Sequence, residues 1–91
     1  MSAERVAVVV VTYNRADLLK GMLAGLSRLE RLPDAVFVVD NASSDHTPRV
    51  LAEAVEAGLL PRLVPITSSD NLGGAGGFHL GLKAAYDEGF D

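Results

Sequence analysis

The chain has 91 residues, of which 48% are hydrophobic and 22% charged, and its formal net charge at pH 7 is −4. This length allows one domain at most, and the acidic balance argues against nucleic acid as a partner. Without cysteine the chain forms no disulfide or thiolate metal site, and it has neither an apolar run of ~20 residues for a membrane span nor a signal-peptide pattern. We therefore expect a cytoplasmic protein, with a larger parent protein able to associate with the cytoplasmic face of a membrane.

The first predicted element is a strand at residues 6–11, which contain five valines. Because β-branched residues favour strands and no polar residue alternates with them, we expect both faces of this strand to be covered, as in a parallel sheet. A polar segment, residues 12–15, follows directly. Open α/β sheets bind ligands at the carboxyl ends of their strands, so this segment is a candidate site.

A helix is predicted next, at residues 16–29, with Asn14 as its N-cap. Gly21 and Gly25 either let this helix approach the sheet closely or only weaken it. The apolar stripe expected to face the sheet consists of Leu18, Leu19, Met22, Leu23, Leu26 and Leu29.

A second apolar strand is predicted at residues 35–39, followed by a polar loop at residues 40–45. Thr47 and Pro48 suit the N-cap and first position of a second helix, which Gly58 ends. The residues expected on its buried face are Val50, Leu51, Ala54 and Val55.

The third predicted strand, residues 62–67, contains Pro65 and is therefore expected at a sheet edge. The glycine-rich residues 71–77 follow as a loop, and a last helix runs to about residue 88. Its buried face is expected to consist of Phe78, Leu82, Ala85 and Tyr86.

The element order is thus βαβαβα, which predicts a three-layer α/β fold with a mainly parallel sheet. Three polar segments, residues 12–15, 40–45 and 68–77, should then meet at one rim. For any single residue in them, a structural role is as good an explanation as a functional one. The three segments together favour a binding site.

Known motifs narrow the chemistry of that site. The chain has no P-loop, and the pattern that begins at Gly74 has His79 where a dinucleotide fingerprint needs its third glycine. His46 and His79 have no third ligand at metal-binding spacing, and there is no Gly-x-Ser-x-Gly nucleophile elbow.

The three segments read Val-Val-Thr-Tyr-Asn-Arg, Val-Val-Asp-Asn-Ala-Ser-Ser-Asp-His-Thr and Asn-Leu-Gly-Gly-Ala-Gly-Gly-Phe. In combination they resemble the N-terminal, nucleotide-binding half of family 2 glycosyltransferases, which have the GT-A fold. The resemblance covers nearly the whole chain, residues 6–91. The third motif is most similar to the actinobacterial subset that transfers galactofuranose or rhamnose. The resemblance implies a partial, Rossmann-like GT-A domain with strand order 3-2-1.

The same resemblance implies a donor site for a UDP- or dTDP-sugar. Thr12 and Tyr13 would lie beside the nucleobase and Arg15 near the base or the diphosphate. The carboxylate of Asp40 would accept a hydrogen bond from the imide N–H of uracil or thymine, where cytosine has an acceptor instead. The nucleotide-binding residues implied are Thr12, Tyr13, Asn14, Arg15, Asp40, Asn71, Gly73 and Gly74. Asp45 and Thr47 match positions that shape the second loop and the start of its helix.

In the family a fourth strand follows, and an Asp-x-Asp type motif holds Mg²⁺ or Mn²⁺ against the diphosphate. No catalytic or metal-binding residue is assigned to this chain, and Asp91 is not taken as a metal ligand. We expect a truncated domain, residues 1–91, that is inactive alone. Its parent would transfer sugar to a glycan or lipid-linked acceptor in cell-envelope polysaccharide synthesis. The edge of the first strand, left unpaired, is expected to self-associate.

Two alternatives to a glycosyltransferase stay open at this point. A nucleotidyltransferase would carry a Gly-x-Gly-Thr/Ser-Arg loop after the first strand, where this chain has Thr-Tyr-Asn-Arg. A non-catalytic α/β nucleotide-binding or regulatory module is the other.

Overall fold

A computed structural model describes residues 5–71 and 73–90. Its elements are β1 (Ala7–Thr12), α1 (Ala16–Ser27), β2 (Ala35–Asn41), α2 (Thr47–Glu56), β3 (Leu63–Ser68) and α3 (Gly73–Asp87). The prediction about Asp91 falls outside the described residues. No helix in the described ranges is long and apolar enough to cross a membrane.

The three strands form one parallel sheet in the order β1-β2-β3. All seven residues of the central strand β2 are buried, as its uninterrupted apolar run predicts. Pro65 is exposed in the edge strand β3, as expected of a residue that has no N–H to donate to a neighbouring strand. The predicted α/β fold and strand order 3-2-1 are confirmed.

Alternation along β2 builds a core on each face of the sheet. Val36 and Val38 pack with residues of α1 and α2, whereas Phe37 packs with residues at the end of α3. The Phe37 and Phe90 rings meet edge to face, with centroids 5.9 Å apart, and the Arg5 guanidinium lies 4.2 Å from the Phe90 ring centroid. The helices therefore form a layer on each side of the sheet, as predicted.

Helix α1 buries only part of the predicted stripe. Leu19 and Leu23 are buried, but Leu18 is 63% exposed, since the sheet contacts one narrow side of the helix. Nothing lies within 4 Å of a Cβ built at Gly21 or Gly25, so these glycines do not mediate a close approach. Met22 and Leu29 are likewise exposed, and the helix ends at Ser27, before the predicted residue 29.

Helix α2 begins at Thr47 itself, with His46 at the N-cap position, so the predicted cap was one residue late. Val55 is 46% exposed, contrary to prediction, because the helix packs through its other apolar residues. Gly58 follows the helix with φ +63°, a conformation that suits glycine at a helix end.

Helix α3 begins within the glycine-rich segment that was expected to be a loop. Its buried face consists of Gly77, Gly81 and Ala85. A Cβ at Gly81 would lie 2.4 Å from Val9 Cγ1, so the missing side chain is what lets the helix lie against the sheet. Three of the four residues predicted for the buried face are exposed: Phe78, Leu82 and Tyr86.

Strand β1 pairs with β2 on one side and has no strand on its other side among the described residues. Its first five residues are therefore half-buried, less covered than predicted. Large apolar side chains flank this edge. A cleft of about 280 Å³ includes Val9 and Leu82 on the α3 side, and one of about 110 Å³ includes Val8 and Leu32 on the other.

Candidate functional site

The three polar segments do meet at the carboxyl end of the sheet. Asn14 Oδ1, in the first segment, accepts hydrogen bonds from the backbone N–H groups of Ser44 and Asp45, in the second. Asn41 Nδ2 donates to the carbonyl oxygen of Gly73, in the third, at 2.9 Å. The prediction that these segments share one rim is confirmed.

Asp40 is the buried charged group of this rim, with 1% of its surface exposed. It lies opposite Thr12 in the β1–β2 pairing, and Thr12 is also buried. Asp40 Oδ1 accepts a hydrogen bond from the backbone N–H of Ser43 at 3.1 Å. Its Oδ2 has no hydrogen-bond partner among the described residues, so an acceptor is left for a ligand that reaches the rim.

Strained backbone is concentrated in the first two segments. In the described ranges the non-glycine residues with positive φ are Asn14, at 48°, and Ala42, at 61°. Asparagine tolerates this conformation, whereas a left-handed residue such as Ala42 costs about 1–2 kcal/mol. Such strain persists where the surroundings impose it, and it is common at functional sites.

Asp45 joins the starts of two helices. Its Oδ2 accepts from the backbone N–H of Ala16, the first residue of α1, while its Oδ1 accepts from both the N–H and the hydroxyl of Thr47, the first residue of α2. The Thr47 hydroxyl holds the pKa of Asp45 below its ordinary value. Asp45 thus caps α1, a role that the sequence assigned to Asn14, and the structural role expected of Asp45 and Thr47 agrees with these contacts.

The third segment is fixed to β2 at the start of α3. Asn71 Oδ1 accepts from the Gly73 N–H at 2.8 Å, and Gly73 has φ +73°. Gly74 is exposed, with nothing within 4 Å of a built Cβ. The backbone at the start of α3 is therefore open to solvent beside the rim.

Tyr13, Asn14 and Arg15 are all exposed in the first segment, and Asn14 uses its side-chain oxygen within the rim. Tyr13 is 46% exposed, and the Arg15 side chain has no hydrogen bond or ion pair to another described residue. Both are available to a ligand. Asn41 and Ser43 help to hold the rim together, although the sequence analysis did not single them out as functional. The signal that could have found them is the polar run that follows a buried strand.

The rim is separate from a groove of about 330 Å³ between α1 and α2. That groove includes Lys20, His46 and Arg49 but none of the predicted site residues. In the described ranges no group of three or more His, Cys, Asp or Glu side chains is arranged to hold a metal ion. The described residues therefore do not fit a divalent cation.

A parallel α/β sheet with a polar rim at its carboxyl end is consistent with part of a Rossmann-like GT-A fold. Residues 7–89 match the family model described as glycosyl transferase family 2. The chain belongs to this family.

Over 88 residues the chain is 41% identical to the galactofuranosyltransferase GlfT1 of Mycobacterium tuberculosis and 42% identical to the protein of the same name in Mycolicibacterium smegmatis. Both alignments cover 97% of this chain and 28% of the relative. The chain thus spans less than a third of the length of these relatives.

Proposed function

We propose that this chain is the donor-nucleotide-binding part of a glycosyltransferase that takes its sugar from a UDP- or dTDP-sugar. The observation that carries the proposal is the carboxylate of Asp40 at the rim of a family 2 domain, since its Oδ2 has no hydrogen-bond partner among the described residues. A carboxylate accepts from the imide N–H of uracil or thymine, whereas cytosine offers only an acceptor at that position.

The exposed residues of the first segment suit the other parts of a nucleotide. The Tyr13 ring can stack on a base, which typically contributes ~1–3 kcal/mol in nucleic-acid complexes. The guanidinium of Arg15, which has no ion pair to another described residue, suits a diphosphate, since guanidinium groups bind phosphate through paired, charge-assisted hydrogen bonds. Thr12, beside Asp40, lies below the base in this arrangement.

The start of α3 suits the nucleoside side of the pocket. Gly73 and Gly74 have no side chains, so a ribose can approach their backbone closely. Asn71 fixes that backbone through its bond to the Gly73 N–H. A helix N-terminus also favours negative charge.

The sugar and acceptor are proposals drawn from the relatives. Their name, galactofuranosyltransferase, favours a galactofuranose donor over a rhamnose donor. We propose a glycan or lipid-linked acceptor, a role in cell-envelope polysaccharide synthesis and a cytoplasmic location. Mg²⁺ or Mn²⁺ would be bound by residues outside this chain and would stabilise the leaving diphosphate. The 91 residues alone then have no sugar-transfer activity.

A nucleotide titration tests the proposed function. UDP, dTDP and CDP would each be added to the ¹⁵N-labelled chain while amide chemical shifts are followed. We expect UDP and dTDP to shift the amides of residues 12–15 and 40–45 and to bind about tenfold more tightly than CDP, because a hydrogen bond to a charged group contributes ~1.5–3 kcal/mol. Equal affinity for all three would contradict the role of Asp40. Complete absence of nucleotide binding, also in the longer parent protein, would favour a non-catalytic α/β binding or regulatory module.

We also propose that the free edge of β1 pairs with a second copy of this chain. Among the described residues no strand pairs with this edge, and exposed apolar side chains flank it on both sides, among them Val6, Leu29 and Tyr86. Such an edge is a template for strand pairing.

A further inference from the structure

Two side chains connect the first rim segment to the second. The Asn14–Asp45 brace, as we call it, consists of the hydrogen bonds from Ser44 N–H and Asp45 N–H to Asn14 Oδ1, at 2.7 and 3.2 Å, and the bond from Ala16 N–H to Asp45 Oδ2, at 3.2 Å. The Asn14 side chain thus bonds the backbone of the second segment, and the Asp45 side chain bonds the backbone of Ala16, the residue that follows the first segment. The residues joined are about 30 positions apart in the chain.

The brace occupies the atoms that a ligand would otherwise use. An amide oxygen has two lone pairs, and Asn14 Oδ1 already accepts from two backbone N–H groups. Asp45 accepts through both oxygens, and each of its partners lies in the protein. These acceptors are therefore already engaged by partners within the protein.

The brace is also linked to the proposed base-binding carboxylate. The Asn14 N–H donates to Ser43 Oγ at 2.9 Å, and the Ser43 N–H in turn donates to Asp40 Oδ1. Ser43 therefore links Asn14 to Asp40 through two hydrogen bonds. Asn14 is also the sequence neighbour of both Tyr13 and Arg15. Its positive φ sets the direction in which the chain leaves β1.

We propose that Asn14 and Asp45 are positioning residues that hold the first segment in register with Asp40 without touching the nucleotide. This inference rests on the proposed function and deepens it, because it changes Asn14 from a ligand contact to a residue that acts through its neighbours. Two loops that are already fixed to each other lose less conformational freedom when the nucleotide binds. The chain should therefore bind the nucleotide more tightly with the brace than without it.

Two loop variants and one core variant separate positioning from general stability. Asn14→Gly keeps the positive φ but removes the acceptor oxygen. Asp45→Asn replaces one acceptor of the carboxylate with an amide NH₂ and covers the case in which the first variant does not fold. Leu26→Ala, in a partly buried position near the end of α1, is the control that destabilises the fold away from the rim. UDP affinity would be measured by amide shifts and stability by urea unfolding, on the full 91-residue chain.

We expect each loop variant to bind UDP about tenfold more weakly than the unmodified chain, a change of ~1.4 kcal/mol. Leu26→Ala should stay within about twofold after correction for its unfolded fraction. In the unmodified chain the Ser44 and Asp45 amides should be protected from hydrogen exchange, and Asn14→Gly should remove that protection.

The outcomes distinguish this inference from the function on which it rests. Unchanged UDP affinity in both loop variants, or an equal loss in Leu26→Ala, would overturn the positioning role and leave the proposed function intact. Unprotected Ser44 and Asp45 amides in the unmodified chain would also overturn it. If the unmodified chain binds no UDP, the proposed function fails and the positioning role fails with it.

Discussion

Replacing Gly81 by alanine tests whether the approach of α3 to the sheet sets the stability of the domain. The added Cβ would lie 2.4 Å from Val9 Cγ1 and 3.2 Å from Val39 Cγ2. The nearer atom belongs to a short β-branched side chain with little rotamer freedom, so the helix or β1 must shift. Overpacking of this kind costs about 1–3 kcal/mol.

Alanine also favours a helix by ~1 kcal/mol relative to glycine, which offsets part of that cost. Gly21→Ala is the matched control, because the substitution is the same and nothing lies within 4 Å of the new Cβ. The helix-propensity gain is common to both variants. Gly81→Ala should therefore be less stable than Gly21→Ala by about 1–3 kcal/mol, which corresponds to at least ~4 °C in Tm.

Urea unfolding followed by far-UV circular dichroism would measure this difference. If the free energy of unfolding falls with urea concentration at a similar slope in the two variants, both expose a similar amount of surface on unfolding. If Gly81→Ala is as stable as Gly21→Ala to within about 0.5 kcal/mol, the close packing inferred for α3 is wrong, since overpacking typically costs more than that.

Three further predictions concern Asp45, the sheet edge and activity. The folded-state pKa of Asp45 is lowered, so its contribution to stability is complete above the unfolded pKa of ~3.9 and is lost as pH falls through the folded pKa. Urea unfolding across that pH range should show that the free energy of unfolding falls less with acidification in Asp45→Asn than in the control Asp87→Asn. Equal falls in the two variants would contradict the capping role. The mass measured by light scattering should rise with protein concentration. Val6→Lys, at the edge, should lower that mass, whereas the control Val55→Lys should leave it unchanged. A monomer mass that is constant with concentration would refute edge pairing. Incubation with a UDP-sugar, Mn²⁺ and a glycan acceptor should give no product, and metal-dependent turnover by the 91 residues would disprove their inactivity.

The strands were predictable from sequence because uninterrupted apolar runs occur in few other settings. The buried faces of the helices were not. Leu18 and Leu19 are equally apolar, and only the position of the sheet decides which of them is covered. The start of α3 was missed for a related reason, since a glycine run favours a loop locally. The close approach of Gly77 to Val11 and Asn41 is a property of the assembled fold.

The meeting of the three polar segments followed from topology alone, because parallel strands end at one edge of the sheet. The contacts between those segments did not. Asparagine is favoured at helix N-caps, but the Asn14 side-chain oxygen accepts from the second loop instead. Asp45, about 30 residues away in sequence, caps α1. Partners so distant in sequence cannot be chosen by local pattern.

The UDP affinity of Asp40→Asn, compared with its CDP affinity, tests the central claim most directly. Asparagine keeps the shape of the side chain and can still accept from the Ser43 N–H, but it loses the charge and presents an NH₂ in place of the second acceptor. With Asp87→Asn as the control, we expect UDP to bind at least about tenfold more weakly to Asp40→Asn, and its preference over CDP to disappear. If Asp40→Asn binds UDP as tightly as the unmodified chain and still prefers it to CDP, Asp40 does not read the base.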